Sequence, residues 1–173
     1  DADTAKEVDK LFYEILIAPS YTEEALKLLT EKKKRIILKI KHYNLAPKSY
    51  KTVLNGVIEQ DADVSSAEIE HLNMVTNVKP TDNQLKDLIF ANKCAKHLKS
   101  NTIVLVKDEQ LLGMGCGQTS RIDACNQAIE KARKFGFELG GAVMASDAFF
   151  PFPDCVEVAF NAGVKAVIQP GGS

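Results

Sequence analysis

The chain has no cysteine or histidine pair at metal-ligand spacing, no excess of charge of either sign, and no apolar run approaching the length of a membrane span. Each gap excludes something. Cys94, Cys116, Cys125 and Cys155 are widely separated, so neither a zinc site nor a disulfide framework is supported. They read as reduced thiols in a cytosolic protein. His42, His71 and His97 are scattered and share no ligand spacing. With 22 basic and 23 acidic residues the net charge is −1, which offers no footprint for nucleic acid or an anionic membrane. No signal peptide is visible at the N-terminus. The glycine-rich stretch Gly113-Met114-Gly115-Cys116-Gly117 matches neither a Walker motif nor G-x-G-x-x-G, so a nucleoside triphosphate has no cradle here.

What is present is the composition of an ordinary globular protein, 45% hydrophobic and 26% charged over 173 residues. That is enough for one domain with a proper core, or for two small subdomains. Thr4 is expected to cap a helix over Ala5–Lys10, with Glu7 at the capping-box position. Phe12–Ala18 is apolar and broken by Pro19, the pattern of a buried strand. Ser20 or Thr22 then caps a helix to about Lys33, and Glu31-Lys32-Lys33-Lys34-Arg35 reads as its solvated end. Arg35–Lys41 alternates as a strand.

Lys41–Lys51 reads as a polar loop, and Tyr50–Glu59 as strand with a turn at Asn55-Gly56. Ile69–Val78 is ambiguous, with strand expected at its end. Pro80-Thr81-Asp82 opens the clearest helix, to about Lys99. Thr102–Val106 and Leu111–Met114 form a hairpin about a polar turn. Thr119 or Ser120 opens a helix to about Phe135, and Ala142–Ala145 is a short strand. Asp154 caps a helix ending at Gly163, and Val164–Ile168 closes the pattern. The fold class is mixed α/β, a mixed sheet with flanking helices, in two halves at about 1–79 and 80–173. Asp1 is no natural start, and the turn Gly171-Gly172-Ser173 follows a strand directly; the expectation is an excised piece of a longer protein.

The rest is organised around Ser146-Asp147-Ala148-Phe149-Phe150-Pro151-Phe152-Pro153-Asp154. Alternating prolines keep it from being a helix interior or a central strand. Two readings stand: a rigid aromatic binding wall, or a hydrophobic plug closing the end of a sheet. Gly115–Arg121 runs a glycine-rich strand end into a helix start bearing Ser120 and Arg121, where free amides, the dipole and a guanidinium favour an anion; otherwise it is a tight turn with a surface arginine. Asn101 either presents its amide to a ligand or ends a helix. Lys41-His42 and Lys96-His97 have the residue types of an oxyanion stabiliser and a general base, but both sit in polar contexts and read as surface pairs.

These motifs resemble one family. Ile15-Leu16-Ile17-Ala18-Pro19, Leu54-Asn55-Gly56, Lys99-Ser100-Asn101, Gly115–Arg121, Ala145–Phe152 and Gln169–Ser173 match, in order, the transformylase part of the bifunctional purine-biosynthesis enzyme. That enzyme joins aminoimidazole carboxamide ribonucleotide (AICAR) transformylase to IMP cyclohydrolase. The resemblance implies the later part of that protein: the end of a first transformylase subdomain with a connecting segment (1–79), and most of a second (80–173). It implies a cytidine-deaminase-like fold without zinc, used twice. It implies transfer of a formyl group from the co-substrate 10-formyltetrahydrofolate to the 5-amino group of AICAR, in a cytoplasmic homodimer with no nucleic-acid or membrane partner.

By the same resemblance Asn101 supports catalysis. Ser120, Arg121, Phe149 and Pro151 contact the nucleotide. Ile122, Phe152 and Asp154 contact folate, and Asp147 is a ligand for a potassium ion. The family's catalytic Lys-His pair is expected outside this chain, and Lys41-His42 falls in the wrong place to be it. Pro153 and Cys155 depart from the family pattern beside the folate contacts.

Overall fold

The computed structural model describes residues 1–42, 44 and 46–171, which fall into two compact units, Asp1–Asp63 and Val64–Ser173. Ala67 and Leu72 lie against the core of the second unit.

In the first unit, α1 (Ala2–Asp9) is capped by Asp1, whose carboxylate accepts from Thr4 N at 2.9 Å. Thr4 is therefore inside the helix rather than its cap. β1 (Ile15–Ala18) runs through α2 (Glu23–Thr30) into β2 (Ile36–Lys39), and the two strands pair in parallel. Thr22 caps α2 as one of the two expected residues. The core is small: Ala5, Ala25 and Leu29, with Tyr13, Leu16 and Ile37 half-buried against it. β1 is not the buried strand its composition suggests. The α1–α2 core takes Leu16 and Ile37, and the opposite face leaves Ile15, Ile17, Ile36 and Leu38 exposed.

Arg35 is not part of a solvated helix end either. Its guanidinium ion-pairs with Asp9 and stacks over the Tyr13 ring at 4.3 Å, and its side chain is 7% exposed. The expected loop at Lys41–Lys51 gives way to β3 (Lys48–Val53), which pairs antiparallel with β4 (Gly56–Asp61). Val53 pairs with Gly56, so the turn is Leu54-Asn55, one residue earlier than expected, with Leu54 at φ 49°. Tyr43, inside the Lys41–Asn44 motif, lies outside the described residues, as do Gly172 and Ser173 of the last matching motif.

In the second unit, Ile69–His71 is a single 3-10 turn, and no strand forms from there to Val78. α3 (Asp82–Lys96) begins with a complete capping box, Thr81 and Gln84 each bonding the other's backbone amide. β5 (Ile103–Lys107), β6 (Gln110–Gly115), β7 (Val143–Ser146) and β8 (Ala166–Ile168) form a mixed sheet in the order β6-β5-β7-β8, parallel only between β7 and β8. Alternation along the buried strands builds two cores. Val104, Val106, Val143 and Ala145 face α3. Ile103, Leu105 and Met144 face α4 (Arg121–Lys134) and α5 (Asp154–Ala162).

Two devices fix the sheet. The β5–β6 turn places Asp108 and Glu109 at φ 53° and 54°, the left-handed pair a two-residue hairpin needs. Buried Asp87 of α3 accepts both turn amides, at 3.0 and 2.6 Å. On the other face, Gly113 and Gly115 let β6 approach α4 closely. A Cβ at Gly115 would lie 2.0 Å from the Ala124 carbonyl oxygen.

Candidate functional site

The site is built where β7 ends, where α4 begins, and where the Lys99–Thr102 segment enters β5. Ser120 is the N-cap of α4 and places Arg121 at its first helical position. The guanidinium turns back over the sheet end. Nε donates to Ser146 Oγ at 2.9 Å, one terminal nitrogen to Asn101 Oδ1 at 2.8 Å, and the other to Asp147 Oδ1 at 3.1 Å. The Arg121 and Asp147 side chains are 12% and 14% exposed, so this ion pair is largely shielded from water.

Each anchor is itself held. Asp147 Oδ1 also accepts from Thr102 N at 2.8 Å. Asn101 Nδ2 donates to the carbonyls of Gln118 and Thr119, at 3.0 and 3.3 Å. Ser146 is 1% exposed, and its hydroxyl donates to the Ala148 carbonyl at 2.7 Å. Gln127 Oε1 accepts from Cys116 N at 3.2 Å and holds the glycine-rich turn to α4. Asn101, Arg121 and Asp147, expected separately from the sequence, thus form one cluster. Ser146 was missed as part of it. The signal was strand alternation: Met144 faces α4 and α5, and Ser146, two residues on, faces the same way.

The helix-dipole argument for an anion at α4 weakens in the structure. Ser120 Oγ donates to Asp123 Oδ2 at 2.6 Å and accepts from Asp123 N at 3.1 Å. The protein's own carboxylate already occupies the favourable end of that helix. The donors left over at this point are the Arg121 N–H groups not committed to its three anchors.

A potassium ion at Asp147 does not fit this arrangement. Its Oδ1 serves a guanidinium and a backbone N–H, and a second cation there would sit against a fixed positive charge. Among the described residues no group of His, Cys, Asp and Glu could hold a metal ion.

The aromatic loop divides its work. Phe150 is half-buried on the α4–α5 core, and its N–H donates to Gln169 Oε1 at 2.7 Å. Phe149 and Phe152 stand outward, 40% and 68% exposed, with Pro151 exposed between them. One ring plugs the end of the sheet and two are displayed to solvent. Ile122 packs half-buried on the same core. Asp154 starts α5 rather than capping it; Pro153 holds the N-cap position, and Asp154 Oδ1 accepts from Cys155 N at 2.7 Å.

Cys125 and Cys155 lie buried in the adjoining core. Burial, reinforced by Cys155 and Asp154, pushes the Cys125 thiol up to about 12. Burial and then Asp154 push Cys155 up to about 11. Lys41, His42 and His97 are exposed. A cavity of about 340 Å³ lined by Arg133, Phe137 and Leu139, and one of about 390 Å³ lined by Ile69, Phe90 and Lys93, contain none of the cluster's residues. The cluster can grip and orient a planar polar group. It holds no nucleophile or free base.

A family model described as the AICARFT/IMPCHase bienzyme matches residues 1–131, which include Asn101, Ser120 and Arg121. The chain belongs to the AICARFT/IMPCHase bienzyme family. It is 56% identical over 173 residues to the bifunctional purine biosynthesis protein PurH of Bacteroides thetaiotaomicron. It is 49% identical over 177 residues to the PurH of Acetivibrio thermocellus, and 46% identical over 173 residues to that of Aquifex aeolicus. In each case the match takes in 100% of this chain and 34% of the relative. The chain thus spans about a third of the length of these curated relatives. These matches extend over the Ser146–Asp154 loop, beyond the region of the family model.

Proposed function

We propose that the protein to which this chain belongs is a folate-dependent formyltransferase of de novo purine biosynthesis. It moves the formyl group of 10-formyltetrahydrofolate to the 5-amino group of AICAR, and it carries an IMP cyclohydrolase activity outside these residues. The observation that carries this reading is membership of the bienzyme family across residues 1–131. In the reaction the amine attacks the formyl carbon, a tetrahedral oxyanion forms and collapses, the amine loses a proton, and tetrahydrofolate leaves.

This chain's part is orientation. Arg121, steadied by Asn101 and Asp147, holds the nucleotide together with Ser120, and the displayed Phe149 and Pro151 wall it in. Phe152, Ile122 and Asp154 form the folate side. Asn101 acts mainly through Arg121, since both amide hydrogens are committed to backbone carbonyls. Proton transfer belongs to a Lys-His pair supplied by another part of the polypeptide. The wider reading is a cytoplasmic homodimer with a zinc-free, cytidine-deaminase-like fold, in which these residues represent the later part of the protein. No helix among the described residues is long and apolar enough to cross a membrane.

The test is direct. The full-length protein, given AICAR and 10-formyltetrahydrofolate, is expected to release tetrahydrofolate and formyl-AICAR, and absence of both products sinks the proposal. A second reading concerns the chain alone. It spans a third of its relatives' length and its cluster lacks a proton-transfer group, so in isolation it is a non-catalytic ligand-binding or structural module. Turnover by the isolated chain would overturn that.

A further inference from the structure

We infer that Ser146 is a positioning residue: it sets the plane of the Arg121 guanidinium and thereby the affinity of the site for the nucleotide. The inference rests on the formyltransferase reading and adds a residue to it. Three anchors hold Arg121, and they differ in kind. Asp147 and Asn101 bind the terminal nitrogens at the tip of the fork. Ser146 alone takes Nε, at 2.9 Å, behind the fork.

Two points at the tip leave the group free to tilt about the line joining them. A third, at Nε, removes that freedom. Ser146 suits the task because its own oxygen is immobile. It is 1% exposed at the end of β7, and its hydroxyl hydrogen is directed at the Ala148 carbonyl, 2.7 Å away. The lone pairs are therefore turned toward the incoming donor, and the same oxygen also lies 3.4 Å from Ala148 N. Because Ala148 immediately precedes Phe149, one hydroxyl couples the guanidinium to the start of the aromatic loop. A positioned arginine and a positioned wall are what a planar base or carboxamide requires on two sides.

The test is a double-mutant cycle in the full-length enzyme, using Ser146→Ala, Arg121→Lys and the pair. Ser146→Ala removes one hydrogen bond to a charged donor, so the nucleotide KM is expected to rise on the order of tenfold. The folate KM is expected to change less than about twofold. Lysine has no Nε–H, so in the Arg121→Lys background the serine change is expected to cost almost nothing further. A side chain that only stabilised the fold would instead give additive losses that track a falling Tm and affect both substrates alike. That result, or an unchanged nucleotide KM in Ser146→Ala, overturns the inference. If Ser146→Ala does not fold, Ser146→Cys takes its place in the cycle; it keeps the shape and offers Nε a poor acceptor. Failure of the wild-type protein to transfer formyl groups would refute the formyltransferase reading itself, an outcome separate from any result of the cycle.

Discussion

Gly115→Ala probes the contact on which the site's geometry depends. The added methyl would lie 2.0 Å from the Ala124 carbonyl oxygen and 2.9 Å from its Cα. These are backbone atoms of α4, so no side chain can rotate out of the way. To regain ordinary contact at 3.4 Å, β6 and α4 must separate by about 1.4 Å. Ala124, Ala128 and Ala132 are fully buried along that seam, so the separation also opens space along their row. Overpacking of this kind costs about 1–3 kcal/mol when side chains can adjust, and a rigid backbone places this case at or above the upper end. A loss of ~3 kcal/mol corresponds to a fall in Tm of roughly 10 °C for a chain of this size.

The assay is thermal and urea unfolding followed by far-ultraviolet circular dichroism, suited to a sequence without tryptophan. Gly140→Ala serves as the control, because a Cβ there meets nothing within 4 Å and should change stability by less than about 0.5 kcal/mol. If Gly115→Ala were as mild as that control, the close approach of β6 to α4 would be refuted. So would the claim that the start of α4, and with it Arg121, is held at a fixed height over the sheet.

Other perturbations test the remaining supports. Thr81→Ala removes half of the α3 capping box and is expected to cost ~1 kcal/mol in urea unfolding. Asp87→Ala strips the acceptor from two amides of a left-handed turn and is expected to cost roughly 2–3 kcal/mol, with hydrogen exchange at Asp108 and Glu109 accelerating first. Cys125 and Cys155 are expected to resist a thiol reagent near pH 8 while the chain is folded and to react once it is unfolded in urea. Both thiols are held neutral in the fold, raised from 9.0 to about 12 and about 11, whereas unfolded thiols ionise near 9. Their contribution is therefore complete below pH 9 and lost as pH rises from there toward 12. A Cys125→Ala/Cys155→Ala double variant should show a shallower alkaline fall in urea stability than the parent chain.

The elements legible in the sequence were those whose causes are local. The helix start at Pro80-Thr81-Asp82, the αL glycine at Gly163 and the apolar strands β5 and β7 carry their reasons within a few residues. The departures have tertiary causes. Ile69–Val78 has strand composition but pairs with no strand. Leu54-Asn55 forms the turn because the register Val53–Gly56 places it there. Arg35 reads as part of a charged run, yet it lies 7% exposed against Tyr13 and Asp9, residues far from it in sequence.

The sequence by itself determined the fold class, the family and the residue types at the site, because short-range patterns and signature motifs carry them. Asn101, Arg121 and Asp147 could be named from motifs alone. Only the tertiary structure decided that they share one guanidinium, that Ser146 completes the set from behind, and that the Ser120 hydroxyl bonds Asp123 at the start of α4. Hydrogen bonds are directional and span about 3 Å. Which groups come within that reach is settled by how β5, β7 and α4 are stacked, and spacing along the chain does not encode that stacking.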